Sequence, residues 1–191
     1  MMDPLAVVLS AVCRRIDAVK VSRIQDASTR RVPFQRKIGA GLSLSEFEKK
    51  RKAGDLRHVG LIQSMHMIAW RIGWRLDRTE DLITPVVAAK RIDAAATVVQ
   101  AGAAAGVQQI GRGFVGSEEK ITLTFRASIG EPSPEDTVEL FGIPHLVSTI
   151  PGGVHGDVAT CAITLNSVNQ LLRASAGLRT MADLPPVSYF L

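Results

Sequence analysis

Apolar residues recur at three- and four-residue steps through roughly the first 110 positions and at every second position beyond them. The first rhythm belongs to helices with one buried stripe, the second to half-buried strands. Over residues 4–24 the stripe is Leu5, Val8, Leu9, Val12, Ile16 and Val19. Pro4 suits the first turn of such a helix, where its missing N–H has no intrahelical partner. Residues 28–37 are polar and basic around Pro33, which predicts a loop or arm. Ser43 followed by Glu46 forms a capping-box pattern that opens a second helix, and Gly54 is placed to end it. A third helix is predicted over residues 56–77, with Ile62, Met65, Ile68, Ala69, Ile72 and Leu76 on one side. Thr84 as cap and Pro85 behind it open a fourth, alanine-rich helix reaching to about residue 110. Gly102 and Gly106 leave one face of that helix bare, suited to the close approach of another backbone.

Past residue 115 the period changes. Residues 120–127 alternate apolar and polar, and 138–141 and 146–150 are further strand segments. Pro151-Gly152-Gly153 turns the chain, 157–165 reads as a short strand, and Asn166 caps a last helix to about residue 176. The expected architecture is α+β in a single domain over residues 1–191. A predominantly helical, basic portion over about 1–113 precedes a small antiparallel sheet and a C-terminal helix over about 118–191, with a tail at 185–191. Alternation of this kind excludes a doubly wound parallel sheet, whose strands would be continuously apolar.

Charge sharpens this division. The net charge of +5 is an average. Residues 1–78 hold 16 Lys and Arg against 7 Asp and Glu, whereas residues 79–191 hold 7 against 11. A basic portion joined to a mildly acidic one suggests two faces with different partners. The apolar tract at 94–107 is too short to span a bilayer. The opening apolar stretch has Asp3 before it and Arg14 and Arg15 behind it, the reverse of a secretory signal. With only Cys13 and Cys161, no disulfide framework is expected, which favours a reducing compartment, so the expected location is cytoplasm or virion.

Candidate chemistry is thin. Gly111, Gly113 and Gly116 have the Gly-x-Gly-x-x-Gly spacing, but the segment follows a predicted helix and precedes a strand, opposite to a dinucleotide site. His58 and His66, eight residues apart on the third predicted helix, stand too far apart to share a metal. His145, His155 and Asp157 lie around the glycine-rich turn, with Cys161 beyond; a hydrolase would need a hairpin to bring His155 and Cys161 together. No metal site and no small-molecule cofactor are expected.

Electrostatic binding is the stronger reading. Arg30, Arg31, Arg36, Lys37, Lys49, Lys50, Arg51 and Lys52 form a candidate polyanion surface for nucleic acid or an anionic membrane. Gly102 and Gly106, with Pro185, Pro186, Tyr189, Phe190 and Leu191 of the tail, are candidates for self-association into a homo-oligomer. Together these predict a non-enzymatic, self-associating protein with the profile of a viral coat, matrix or nucleocapsid component. The alternatives are a small enzyme using the His145/His155/Asp157 loop, and an adaptor or effector whose helices bind a host protein.

Overall fold

Alternation along one strand shows how the chain is layered. In β6 (Glu118–Ser128), Ile121, Leu123, Phe125 and Ala127 are buried, while Thr122, Thr124 and Arg126 between them are partly exposed. One side of the sheet therefore faces a core and the other does not. The computed structural model describes residues 2–94 and 97–190. Its six-stranded sheet runs in the order β2 (Arg78–Val87), β5 (Ala104–Val115), β6, β1 (Arg15–Asp26), β7 (Glu135–Ile143), β8 (Leu146–Pro151). Strands β1 and β6 are parallel, with Val19 opposite Ile121; the other four pairings are antiparallel. A separate two-stranded ribbon joins β3 (Ile92–Asp93) to β4 (Val98–Val99).

The helices gather on the buried side. α4 (Leu61–Arg71) lies against β5 and β6, and α1 (Pro4–Leu9) against α4 and β7. α2 (Val32–Lys37) and α3 (Leu44–Ala53) follow β1 in the chain, and α3 meets β2. Leu61, Met65 and Ile68 of α4 are fully buried with Ile121, Leu123 and Leu140 of the sheet. The close approach depends on two glycines of β5. A Cβ at Gly111 would stand 2.7 Å from the Met65 methyl, and one at Gly113 would stand 2.8 Å from the Met65 sulfur. The chain ends in α5 (Gly156–Asn166), α6 (Val168–Arg173) and an irregular tail.

The expectation of a helical first portion followed by a small sheet is overturned. The chain is 28% helical and 34% strand, and three of the six sheet strands fall before residue 116. The predicted helix over 4–24 is a short α1, a 3-10 turn at Ser10–Val12, and then β1. The predicted helix from Thr84 to about 110 is β2, the small ribbon and β5. Pro85 is tolerated because β2 is an edge strand, and Ala104 and Ala105 are small residues in the buried end of β5. There Ala104 pairs with the 41–42 backbone, so tertiary pairing overrides helix propensity. Gly102 sits in a turn at φ +78°, and Gly106 packs its α-carbon against the Ala127 carbonyl within the sheet; neither lies on a helix face. Residues 157–165 are helix α5, not a strand. The capping box at Ser43 and Glu46 and the left-handed Gly54 are present as expected, as is a strand across 120–127.

An alanine methyl at Gly111 or Gly113 would force the ends of the Met65, Leu61 and Leu76 side chains packed there to shift. Chemical denaturation should show each variant less stable by about 1–3 kcal/mol, whereas Gly116→Ala, which meets nothing within 4 Å, should show only the smaller cost of its left-handed backbone.

Candidate functional site

The buried side of β1 begins as core and ends as something else. Val19 and Val21 are apolar, but the next inward positions are Arg23 and Gln25, both buried. A buried guanidinium is costly unless it is paired. Arg23 donates from Nη1 to Asp136 Oδ2 at 3.2 Å, directly across the strand pair, and from Nη2 to the Val154 carbonyl at 2.8 Å. Gln25 donates to the same carbonyl at 3.2 Å, and the Val154 N–H donates to Asp136 Oδ2 at 2.9 Å. Burial pushes the Arg23 guanidinium below its ordinary value, and Asp136 opposes that shift. Residue 154 is thereby clamped to the sheet, which fixes where α5 begins.

Helix α5 and the segment 30–37 then enclose a pocket of about 460 Å³ over the sheet. Its floor is Arg23, Gln25 and Phe125, and its walls include Arg30, Lys37, His58 and Asp157. Arg30 is buried, lies over the Phe34 ring at 3.9 Å, and donates to Gln25 Oε1 and to Asp157 Oδ1, both at 3.2 Å. Its Nε–H has no acceptor among the described residues. Arg31 reaches the same Asp157 oxygen at 3.4 Å from an exposed position. Gly156 leaves room for this arrangement: a Cβ there would stand 2.8 Å from Arg30 Nη1 and the guanidinium would have to shift.

His58 forms another wall. Its ring stacks on Phe125 with centroids 4.4 Å apart and planes 19° apart. Its backbone N–H donates to Gln109 Oε1 at 2.6 Å, and the fully buried Gln109 is held in turn by Asp81, which accepts from its Nε2 at 2.9 and 3.0 Å. Burial first, then the charges of Lys37 and Arg23, push the imidazole down to about 4. The ring is neutral at pH 7.

The structure scatters most of the predicted sites. Of the polyanion residues, Arg30, Arg31 and Lys37 come together at the pocket and Arg36 is exposed nearby in α2. Lys49, Lys50, Arg51 and Lys52 lie on α3, where Arg51 and Lys52 pair with Glu48. His145 stacks on Phe141 and bonds Glu139 at 2.9 Å, while His155 is the exposed residue before α5 and Cys161 is exposed within it. The loop reading thus finds no shared site; Asp157 alone of the group enters the pocket. Pro185, Pro186, Tyr189 and Phe190 are exposed in the tail, and Leu191 lies outside the described residues. His66 is exposed on α4, and His58 stands in the loop before it. Among the described residues no three His, Cys, Asp or Glu side chains converge as metal ligands, and no helix is long and apolar enough to cross a membrane. Sequence reasoning missed Arg23, Gln25, His58 and Gln109 as site residues. The available signal was Val19-x-Val21-x-Arg23-x-Gln25, a strand alternation whose inward half turns polar.

The fold is one that dehydrogenases contain. The chain is a member of the 2,4-diaminopentanoate dehydrogenase C-terminal domain family, whose profile matches residues 1–190. It is 30% identical to the 2,4-diaminopentanoate dehydrogenase of Acetoanaerobium sticklandii over 96% of its own length and 54% of that protein. Its fold is similar to that of an amine dehydrogenase from Mycobacterium smegmatis, with a TM-score of 0.84 at 16% identity, across 99% of this chain and 57% of that one. The chain therefore spans about half the length of these relatives. Membership in a dehydrogenase family overturns the expectation of a non-enzymatic coat, matrix or nucleocapsid-like protein, and with it the virion and nucleic-acid assignments.

The site's electrostatics predict a pH dependence. The unfolded chain, with His58 near its ordinary value of about 6.5, takes up a proton that the folded chain refuses until about pH 4. Stability is therefore complete above pH 6.5 and declines as pH falls toward 4, by an amount on the order of 3 kcal/mol at most. Urea midpoints measured across this range should fall less in His58→Gln than in the parent chain.

Proposed function

We propose that this chain is the substrate-holding domain of a dehydrogenase that oxidises a carbon–nitrogen bond. Family membership supports the class of reaction, and the relatives' names, a diaminopentanoate and an amine dehydrogenase, share an amine as the reacting group. One observation carries the reading: a neutral imidazole, His58, stacked on Phe125 in a pocket walled by cationic side chains. An amine must be uncharged before its carbon can release hydride, because an ammonium has no lone pair to stabilise the cation left behind. The field of Arg23 and Lys37 disfavours a further positive charge in the pocket, as it does at His58, so it lowers the pKa of a bound amine. The His58 ring offers a hydrogen-bond partner to that amine, and the Phe125 face below it holds the ring in place.

A dehydrogenase also needs a hydride acceptor, in most cases a nucleotide. The glycines at 111, 113 and 116 do not fit one. Gly111 and Gly113 lie inside β5 beneath α4, and Gly116 is in the turn to β6, so no helix N-terminus follows them to receive a phosphate. This chain's residues are accordingly given the substrate's side of the reaction: they hold the amine, keep it uncharged and exclude water.

Nuclear magnetic resonance of the full chain tests the reading. Either 2,4-diaminopentanoate or butane-1,3-diamine should shift the His58 and Phe125 ring resonances, and His58→Ala should weaken binding of both about tenfold, the scale of one lost hydrogen bond. Ring resonances that stay unmoved at saturating concentrations of both compounds would remove the pocket as the amine site.

A further inference from the structure

We infer that the sheet face opposite the helices is the surface on which two copies of this chain pair. The strand registers lay this face out in rows. The middle row reads Leu82, Ile110, Thr124, Ser22, Thr137 and Thr149 from β2 to β8, with no charge in it. The next row sets Arg112 of β5, Thr122 of β6, Lys20 of β1 and Glu139 of β7 side by side. None of these side chains is buried, although β5, β6, β1 and β7 are the interior strands of the sheet. At its centre lies the parallel pair, β6 and β1. Parallel strands are ordinarily covered on both faces, and here the helices cover one. On the other a shallow hollow of about 190 Å³ opens over the pair, lined by Lys20, Ser22, Thr122, Thr124, Thr137 and Glu139.

Size and charge commit the occupant to a second copy. With strands about 4.8 Å apart and about 3.3 Å per residue, six strands of about eight residues present roughly 700 Å². Two such faces stacked together bury about 1,400 Å², within the range of a stable dimer. The charges on this face balance: Arg112, Lys20 and Arg126 stand against Glu80, Glu139 and Glu135. A nucleic acid or an anionic membrane requires a net positive surface, which this is not. A two-fold axis running along the β6–β1 pair lays β5 of one copy over β7 of the other. It brings Arg112 opposite Glu139 of the partner subunit, twice in one interface, and Thr124 opposite Ser22 of the partner subunit at the centre. An axis along the middle row would instead set Glu139 over Glu135 of the partner subunit, where like charges repel. Arg112 has capacity for the contact, since its side chain is half-exposed and its ion pair with Glu119 is long, at 3.9 Å. The short side chains of the middle row let the two sheets approach to the usual spacing of about 10 Å.

Analytical ultracentrifugation of the full chain over a range of concentrations tests the interface. The unaltered chain is expected to show twice the mass of one chain, falling toward a single mass on dilution. Thr124→Arg puts a bulky charge into the uncharged row at the centre and should weaken self-association about a hundredfold; Arg112→Glu and Glu139→Arg should each weaken it about tenfold. The two reversals combined should restore it to near the parent value, because the pair re-forms with its signs exchanged. Circular dichroism checks that each variant is folded, and the charge reversals stand as the test if Thr124→Arg is not. A chain that stays monomeric at every concentration would overturn the proposal and leave the face to a different partner. A dimer of undiminished strength in folded Thr124→Arg, or in both single reversals, would put the contact elsewhere and overturn it as well. A double reversal that associates no more strongly than either single one would overturn the two-fold arrangement.

Discussion

The site depends on a buried ion pair between two neighbouring strands. Arg23 and Asp136 face each other across β1 and β7, both inside the protein, and together they grip the backbone of Val154 by its N–H and its carbonyl. A buried pair of this kind contributes little net stability against an apolar alternative, but losing one partner costs about 3–5 kcal/mol. Its value here is positional. By fixing residue 154 it sets the starting point and direction of α5, and α5 brings Gly156 and Asp157 to Arg30. Without the clamp, the pocket would lose a wall and Arg30 an acceptor.

From that point the electrostatics follow in sequence. His58, buried on the Phe125 ring, is held neutral first by that burial and then by the positive charges of Lys37 and Arg23. Gln109, pinned by Asp81, accepts from the His58 backbone N–H and so helps to hold the imidazole in place.

Much of this was hidden in the sequence for physical reasons. The capping box at Ser43, the glycine after α3 and the alternation in β6 were legible because local chemistry and final structure agree there. Strand β1 was not legible, because its inward positions pass from Val19 and Val21 to Arg23 and Gln25, and the site thereby erased the apolar alternation that marks a strand. The helix read across 84–110 failed for a different reason. Alanines that favour a helix in isolation serve in β5 as small residues in a crowded interior. The basic run at 30–37 was correctly singled out as cationic, but its charges divide: Arg30 turns inward to line a cavity while Arg36 faces solvent. Charge counts carry no information about direction, and here direction separates the lining of a cavity from the exposed surface.

Hydrogen exchange on Asp136→Asn, compared with the unaltered chain, tests most directly whether the ion pair builds the site. The substitution keeps the shape of the side chain and removes the charge that Arg23 requires. Amide protection should fall across residues 154–166, reporting the release of α5, while α3 and α4 stay as protected as before. Protection of α5 that is unchanged, in a variant whose strands β1 and β7 remain paired, would show that the pocket's wall stands without the clamp and would contradict the account.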